Sequence, residues 1–141
     1  MTRATFAILL AALLGWTPPS VAAEPGAGVV LVAGATGRTG RHVVEQLLGQ
    51  GREVRVIARS AAGARERFGD AVSIVEADVR EPQTLGPAVT GVRQIVWAVG
   101  SNSRRDPSNS PEAVDYRGVR NLVEAALAAG GVEHFVLVSS R

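Results

Sequence analysis

With 141 residues, 46% hydrophobic and 20% charged, the chain has the size and apolar content of one globular domain and not those of a disordered segment. It contains no cysteine and no lysine, which excludes disulfides, a thiolate zinc site, a Walker lysine, a Schiff-base lysine and a tyrosine–lysine proton relay within these residues. The net charge of +2 and pI near 10.3 come from arginines dispersed among 13 acids without a dense basic run, so a mixed solvated surface is expected and no nucleic-acid partner.

Residues 1–23 read as a secretory signal peptide: Arg3 supplies the positive start, residues 6–14 an apolar stretch, and Val21-Ala22-Ala23 a small-residue cleavage site. The apolar stretch is too short to span a bilayer, so no stable membrane anchor is expected. Without a cysteine for lipidation or a twin arginine, the leader implies export to the periplasm through the general secretion route. The alternative is a start codon placed too far upstream and a cytoplasmic protein. Residues 24–28 read as a linker into the domain at 29–141.

The five apolar residues Val29-Val30-Leu31-Val32-Ala33 have the continuous hydrophobicity of a strand buried on both faces of a parallel sheet. Where they stop, Gly34, Gly37 and Gly40 form G-x-x-G-x-x-G, a spacing variant of the dinucleotide fingerprint. In that motif glycines serve a tight turn, the approach of a pyrophosphate and the packing of helix on strand. Val43, Val44, Leu47 and Leu48 mark one face of the helix that follows, and its N-terminus would aim free N–H groups at phosphate. Residues 54–58 form a second strand ending at Arg59. An acid there would suit the ribose 2′-hydroxyl of NAD, whereas an arginine suits the 2′-phosphate of NADP, with Arg38 in the glycine loop as a second positive group. Plain surface arginines are the other reading of both.

Residues 61–69 read as a short helix and 72–75 as a third strand. Asp78 beyond it is either a contact to the adenine amino group or a turn-forming aspartate. A brief helix at 82–89, a fourth strand at 94–100 ending in Gly100, a polar mobile loop at 101–111, a long helix at 111–129 and a fifth strand at 134–140 complete the chain. Only two histidines are present, His42 within the first helix and His134 opening the last strand, so no metal centre is expected. Alternating strands and helices predict a three-layer α/β/α Rossmann fold with parallel order 3-2-1-4-5.

The motifs Gly34-Ala35-Thr36-Gly37-Arg38-Thr39-Gly40, Ala58-Arg59, Ala77-Asp78-Val79, Val114-Asp115-Tyr116-Arg117-Gly118 through Asn121-Leu122-Val123, and Val136-Leu137-Val138-Ser139-Ser140 resemble the atypical short-chain dehydrogenase/reductase family. The similarity is greatest to its NmrA-like and biliverdin/flavin-reductase-like branch. The resemblance implies pyrophosphate contacts from Gly34, Thr36, Gly37, Arg38 and Thr39, with Arg59 at the 2′-phosphate. It also implies Asp78 and Val79 at the adenine and Val99 and Gly100 beside the nicotinamide half. Tyr116 and Asn121 match family positions on the long helix, but no relay lysine follows the tyrosine. The family continues past the fifth strand into a substrate-binding part that this chain lacks, so the domain reads as C-terminally incomplete.

Two functions follow from the resemblance. One is an NADPH-dependent oxidoreductase acting on a small conjugated acceptor: a flavin, a quinone or a carbonyl compound. The other is a non-catalytic NADP-binding sensor or scaffold, or an inactive N-terminal fragment. In either case NADP is the expected cofactor before NAD.

Overall fold

The central strand of the sheet is β1 (Val29–Ala33), the apolar run that precedes the glycines. The computed structural model describes residues 28–139. The leader read at 1–23 and all but the last residue of the linker therefore lie outside the described residues. After β1 come α1 (Arg38–Gly49), β2 (Val54–Ala58), α2 (Ala61–Phe68) and β3 (Ser73–Glu76). A 3₁₀ turn (Pro82–Thr84) then leads into α3 (Gly86–Val89) and β4 (Val92–Trp97). A π-helical segment (Glu112–Gly118) runs directly into α4 (Val119–Ala129), and β5 (His134–Leu137) follows. All neighbouring strands are parallel, in the order β3-β2-β1-β4-β5, which is the predicted topology.

Because helices cover both faces of the sheet, β1 needs apolar residues at consecutive positions, and from Val30 onward it is fully buried. Leu31 and Ala33 point into a core shared with Ile95, Trp97, Leu85, Val89 and Leu122, under α3 and α4. Val32, with Val54, Val56, Val44 and Ala64, faces the opposite core under α1 and α2. Arg55 leaves the middle of β2 on the α3 side, and its guanidinium Nη1 donates to the carbonyls of Ala88 (3.0 Å) and Thr90 (2.7 Å). In this way a cation closes the C-terminus of a helix too short to bond its own last carbonyls.

Several elements differ from the sequence expectation: the brief helix at 82–89 divides into the 3₁₀ turn and α3, β4 ends at Trp97 so that Gly100 lies beyond the strand, and β5 ends at Leu137. Helix α1 begins at Arg38, inside the glycine motif, with Gly37 as its N-cap. The single helix expected over 111–129 is π-wound through its first seven residues. There Val114 and Gly118 face the core, and Gly118 makes room for Trp97 and Val79, each of which would lie 3.1 Å from a Cβ at that position. At the far edge, β5 stops at Leu137, and among the described residues nothing pairs with its outer side: Val136 and Leu137 are each 52% exposed.

Candidate functional site

The chain steps outward from β1 through β2 to β3 on one side and then crosses back to β4 on the other side of β1, and the carboxyl ends of the strands open into a cleft at this switch point. The cleft encloses about 350 Å³, within the usual range for small-molecule sites. Of the residues expected to bind cofactor, it gathers Gly34, Thr36, Gly37, Arg59, Asp78, Val79, Val99 and Gly100 into one lining. Arg38, Thr39 and Gly40 are not in that lining and form the first turn of α1.

The three glycines divide the structural work. Gly34 has φ +82°, and a Cβ there would lie 2.6 Å from the Ala98 carbonyl, so glycine is needed both for the turn and for the close approach of the β4 end. Gly37 donates its N–H to the Gly34 carbonyl at 3.0 Å and starts the helix. Gly40 is buried with its Cα against that same carbonyl, so its part is to seat α1 on the turn.

The N-terminus of α1 is open. It has no side-chain cap and no acid in its first turn, which leaves backbone N–H groups and the positive end of the helix dipole for an anion. The contrast with α2 is instructive. There the Ser60 hydroxyl accepts from Gly63 N–H at 3.2 Å and the Glu76 carboxylate from Ala61 N–H at 2.8 Å, so that helix end is already satisfied. Glu76, the acid at the end of β3, is thereby tied to the backbone of α2 and is not in the cleft lining, and the exposed end of β2 contributes Arg59 to that lining.

On the β3 side, Asp78 is held by Arg80. Arg80 donates from Nε to both carboxylate oxygens (3.0 and 3.1 Å), from Nη2 to Oδ2 (2.5 Å) and from its backbone N–H to Oδ1 (2.9 Å). These bonds hold the Asp78 carboxyl below its ordinary pKa against the opposing effect of burial, and they raise that of Arg80. Thr84 fixes the Asp78 backbone through its hydroxyl, and Asn121 Nδ2 donates to the Val79 carbonyl at 2.9 Å, tying α4 to the same corner. Asn121 thus shapes the site from outside the lining, while Tyr116 is 60% exposed and also outside it.

Arg80, Arg105 and Asn109 line the cleft without having been singled out from the sequence. Arg80 had a legible signal, its position two residues after Asp78. The loop residues had none, because their placement depends on how 101–110 folds. That loop is expected to be mobile from its composition, yet it is closed on itself: Asn102 N–H donates to Asn109 O (3.0 Å), and the Arg105 and Asp106 N–H groups donate to Asn102 O. Asp106 accepts from the Ser108 N–H and hydroxyl, which lowers its pKa.

A second cavity of about 290 Å³ adjoins the first and shares Val99 and Gly100 with it. Its walls are Trp97, Leu137 and Val138, with polar groups from Ser101, Asp115 and Ser139. Ser101 donates to the Asp115 carboxylate from N–H (3.1 Å) and from its hydroxyl (2.6 Å), fixing the first residue after Gly100 against the π-helical segment.

The NAD(P)H-binding family model matches residues 34–141. The chain belongs to that family. An uncharacterized chloroplastic protein of Arabidopsis thaliana is 43% identical over 115 residues, covering 79% of this chain and 40% of its own length. The chloroplastic divinyl chlorophyllide a 8-vinyl-reductase of Zea mays is 36% identical over 126 residues, covering 79% of this chain and 30% of the reductase. Among solved structures, a short-chain dehydrogenase/reductase superfamily protein from Agrobacterium tumefaciens with bound NAD superposes with a TM-score of 0.62 at 34% identity, over 79% of this chain and 32% of that one. The chain therefore spans well under half the length of these relatives, and the part they share is the NAD(P)-binding domain of the dehydrogenase/reductase type. Among the described residues, no helix is long and apolar enough to cross a membrane.

Proposed function

We propose that this chain binds NADP(H) in the cleft at the β1–β4 switch point and serves an NADPH-dependent reduction of a small conjugated acceptor such as a flavin, a quinone or a carbonyl compound. The observation that carries the dinucleotide reading is the uncapped, acid-free N-terminus of α1 opening beside a glycine turn too tight for any side chain. Arg59 carries the preference for NADP. It stands at the end of β2 in the cleft lining, while the nearby acid, Glu76, is bonded to the backbone of α2.

The residues present fit the whole cofactor. Thr36, Gly37 and the N–H groups opening α1 would take the pyrophosphate, Arg59 the 2′-phosphate, Asp78 and Val79 the adenine, and Val99 and Gly100 the nicotinamide half. When bound, NADPH supplies the hydride, and that chemistry belongs to the cofactor. The protein's contribution is placement and shielding. Val99 and Gly100 line both cavities, so an acceptor seated among Trp97, Leu137 and Val138 lies next to the end of the cleft where the nicotinamide would rest. The relationship to a vinyl reductase favours a conjugated, hydride-accepting substrate. The test is NADPH consumption in the presence of flavins, quinones and carbonyl compounds, set beside measured binding. Turnover on one of these classes supports the reductase. NADP binding without turnover on any of them favours the sensor or scaffold reading and overturns the reductase.

A further inference from the structure

The cleft lining carries three arginines, Arg59, Arg80 and Arg105, and one acid, Asp78. The Asp78 carboxylate is bonded by Arg80 through a bidentate pair and makes no ion pair with either of the others. Arg105 enters from the 101–110 loop and has no ion-pair partner among the described residues. Its neighbour Arg104 is also exposed but lies outside the lining.

The loop is held toward the adenine corner and not simply over the end of β4. Arg80 Nη1 donates to the Ser108 hydroxyl at 2.7 Å and approaches Asp106 at 3.9 Å, so the guanidinium that grips Asp78 also grips the loop. Arg59 acts electrostatically on both Asp78 and Asp106, which brings its charge within range of the residue adjacent to Arg105. Asp78 and Asp106 temper this charge from a distance, but neither forms an ion pair with Arg59 or Arg105, so the lining keeps an excess of positive charge that a bound anion would offset. A single arginine at the end of β2 does not account for the second positive group.

We propose that Arg105 is a second specificity-determining residue for the 2′-phosphate, delivered across the cleft by the loop that Arg80 and Ser108 clasp. This rests on the NADP reading given above and deepens it. Arg59 and Arg105 approach the same phosphate from two separate elements, and Arg80 is the positioning residue that sets the loop. The recognised chemistry is a phosphomonoester dianion on a ribose, which paired guanidinium groups bind more tightly than either one alone.

The test is isothermal titration of the full chain with adenosine 2′,5′-bisphosphate, 5′-AMP, NADP⁺ and NAD⁺, for wild type, Arg105→Ala, Arg104→Ala and Arg59→Asp. The expected result is that Arg105→Ala weakens the bisphosphate and NADP⁺ by about ten- to a hundredfold. It should leave 5′-AMP and NAD⁺ within about twofold, and Arg104→Ala should change none of them. The Arg105 effect should also shrink as salt is raised. If wild type and Arg59→Asp show that NADP⁺ is preferred through Arg59 while Arg105→Ala leaves the preference intact, the proposal is overturned and the NADP reading stands. Equal weakening of 5′-AMP and the bisphosphate would place Arg105 on another phosphate and likewise overturn it. A wild type that binds NAD⁺ as tightly as NADP⁺ removes the NADP reading and the proposal together.

Discussion

Gly40→Ala is the substitution that most directly probes how the glycine motif builds the site. A Cβ at residue 40 would lie 2.1 Å from the Gly34 carbonyl oxygen, 2.7 Å from its carbon and 2.9 Å from the Ala35 Cα, all backbone atoms of the turn. Ordinary carbon–oxygen contacts are about 3.3 Å, so α1 would have to withdraw by roughly 1 Å from the end of β1. Overpacking of this kind costs about 1–3 kcal/mol. The upper half of that range applies here, because no flexible side chain can absorb the clash, although alanine returns about 1 kcal/mol of helix propensity. The net loss should be about 1–2 kcal/mol, read as a fall of roughly 1 M in the urea midpoint, with the buried Trp97 as fluorescence reporter. NADP affinity should fall with it, since the N–H groups of the first turn move. The control is Gly49→Ala on the last residue of the same helix, where a Cβ meets nothing within 4 Å. That change should stabilise by about 0.4–1 kcal/mol and leave binding unchanged. A Gly40→Ala protein with the wild-type midpoint and affinity would refute the packing argument.

Arg59→Asp should cost about 2–3 kcal/mol of NADP⁺ affinity by losing a charge-assisted contact and adding repulsion, while NAD⁺ binding is spared or improved; calorimetric titration of both cofactors checks this. Arg55→Met keeps the apolar stem but leaves the Ala88 and Thr90 carbonyls without their donor, and should lower stability by about 1–3 kcal/mol in chemical denaturation without changing NADP affinity. For Asp78, the folded-state pKa lies below the unfolded one, so its pairing with Arg80 contributes stability that is fully present above the unfolded value of about 4 and is lost as pH falls through the folded value. Asp78→Asn should therefore be less stable than wild type at pH 7, and the difference should narrow below about pH 4 in melts across that range.

Much of the fold was legible because β1 is buried on both faces and is therefore an unbroken apolar run ending at glycine, while β2 is apolar at every position but Arg55 and ends before Arg59. The start of α1 was harder to read. Helix propensity argues against glycine in the first turn, and only the contact between Gly40 and the Gly34 carbonyl shows why it is there. The π-winding over Glu112–Gly118 left no trace in the periodicity, since Val114 and Gly118 at a spacing of four suit an ordinary helix equally well. In the site, residues at strand ends could be placed from sequence because topology alone puts them on one edge. Asp78 could be placed but its commitment to Arg80 could not. Arg105 was illegible for a related reason: hydrogen bonds between loop residues, and one to a side chain 28 positions earlier, decide where 101–110 folds.

The melting temperature of the full chain measured against NADP concentration tests the central claim most directly. A ligand that binds only the folded form stabilises by RT ln(1 + [L]/Kd), about 2.7 kcal/mol at a hundredfold excess over Kd. With β5 leaving apolar side chains uncovered at the sheet edge, the unliganded chain should be marginally stable, and such a gain should shift its melting point by several degrees, more for NADP than for NAD. A melting point that does not move in millimolar NADP would contradict the assignment of the cleft to this cofactor.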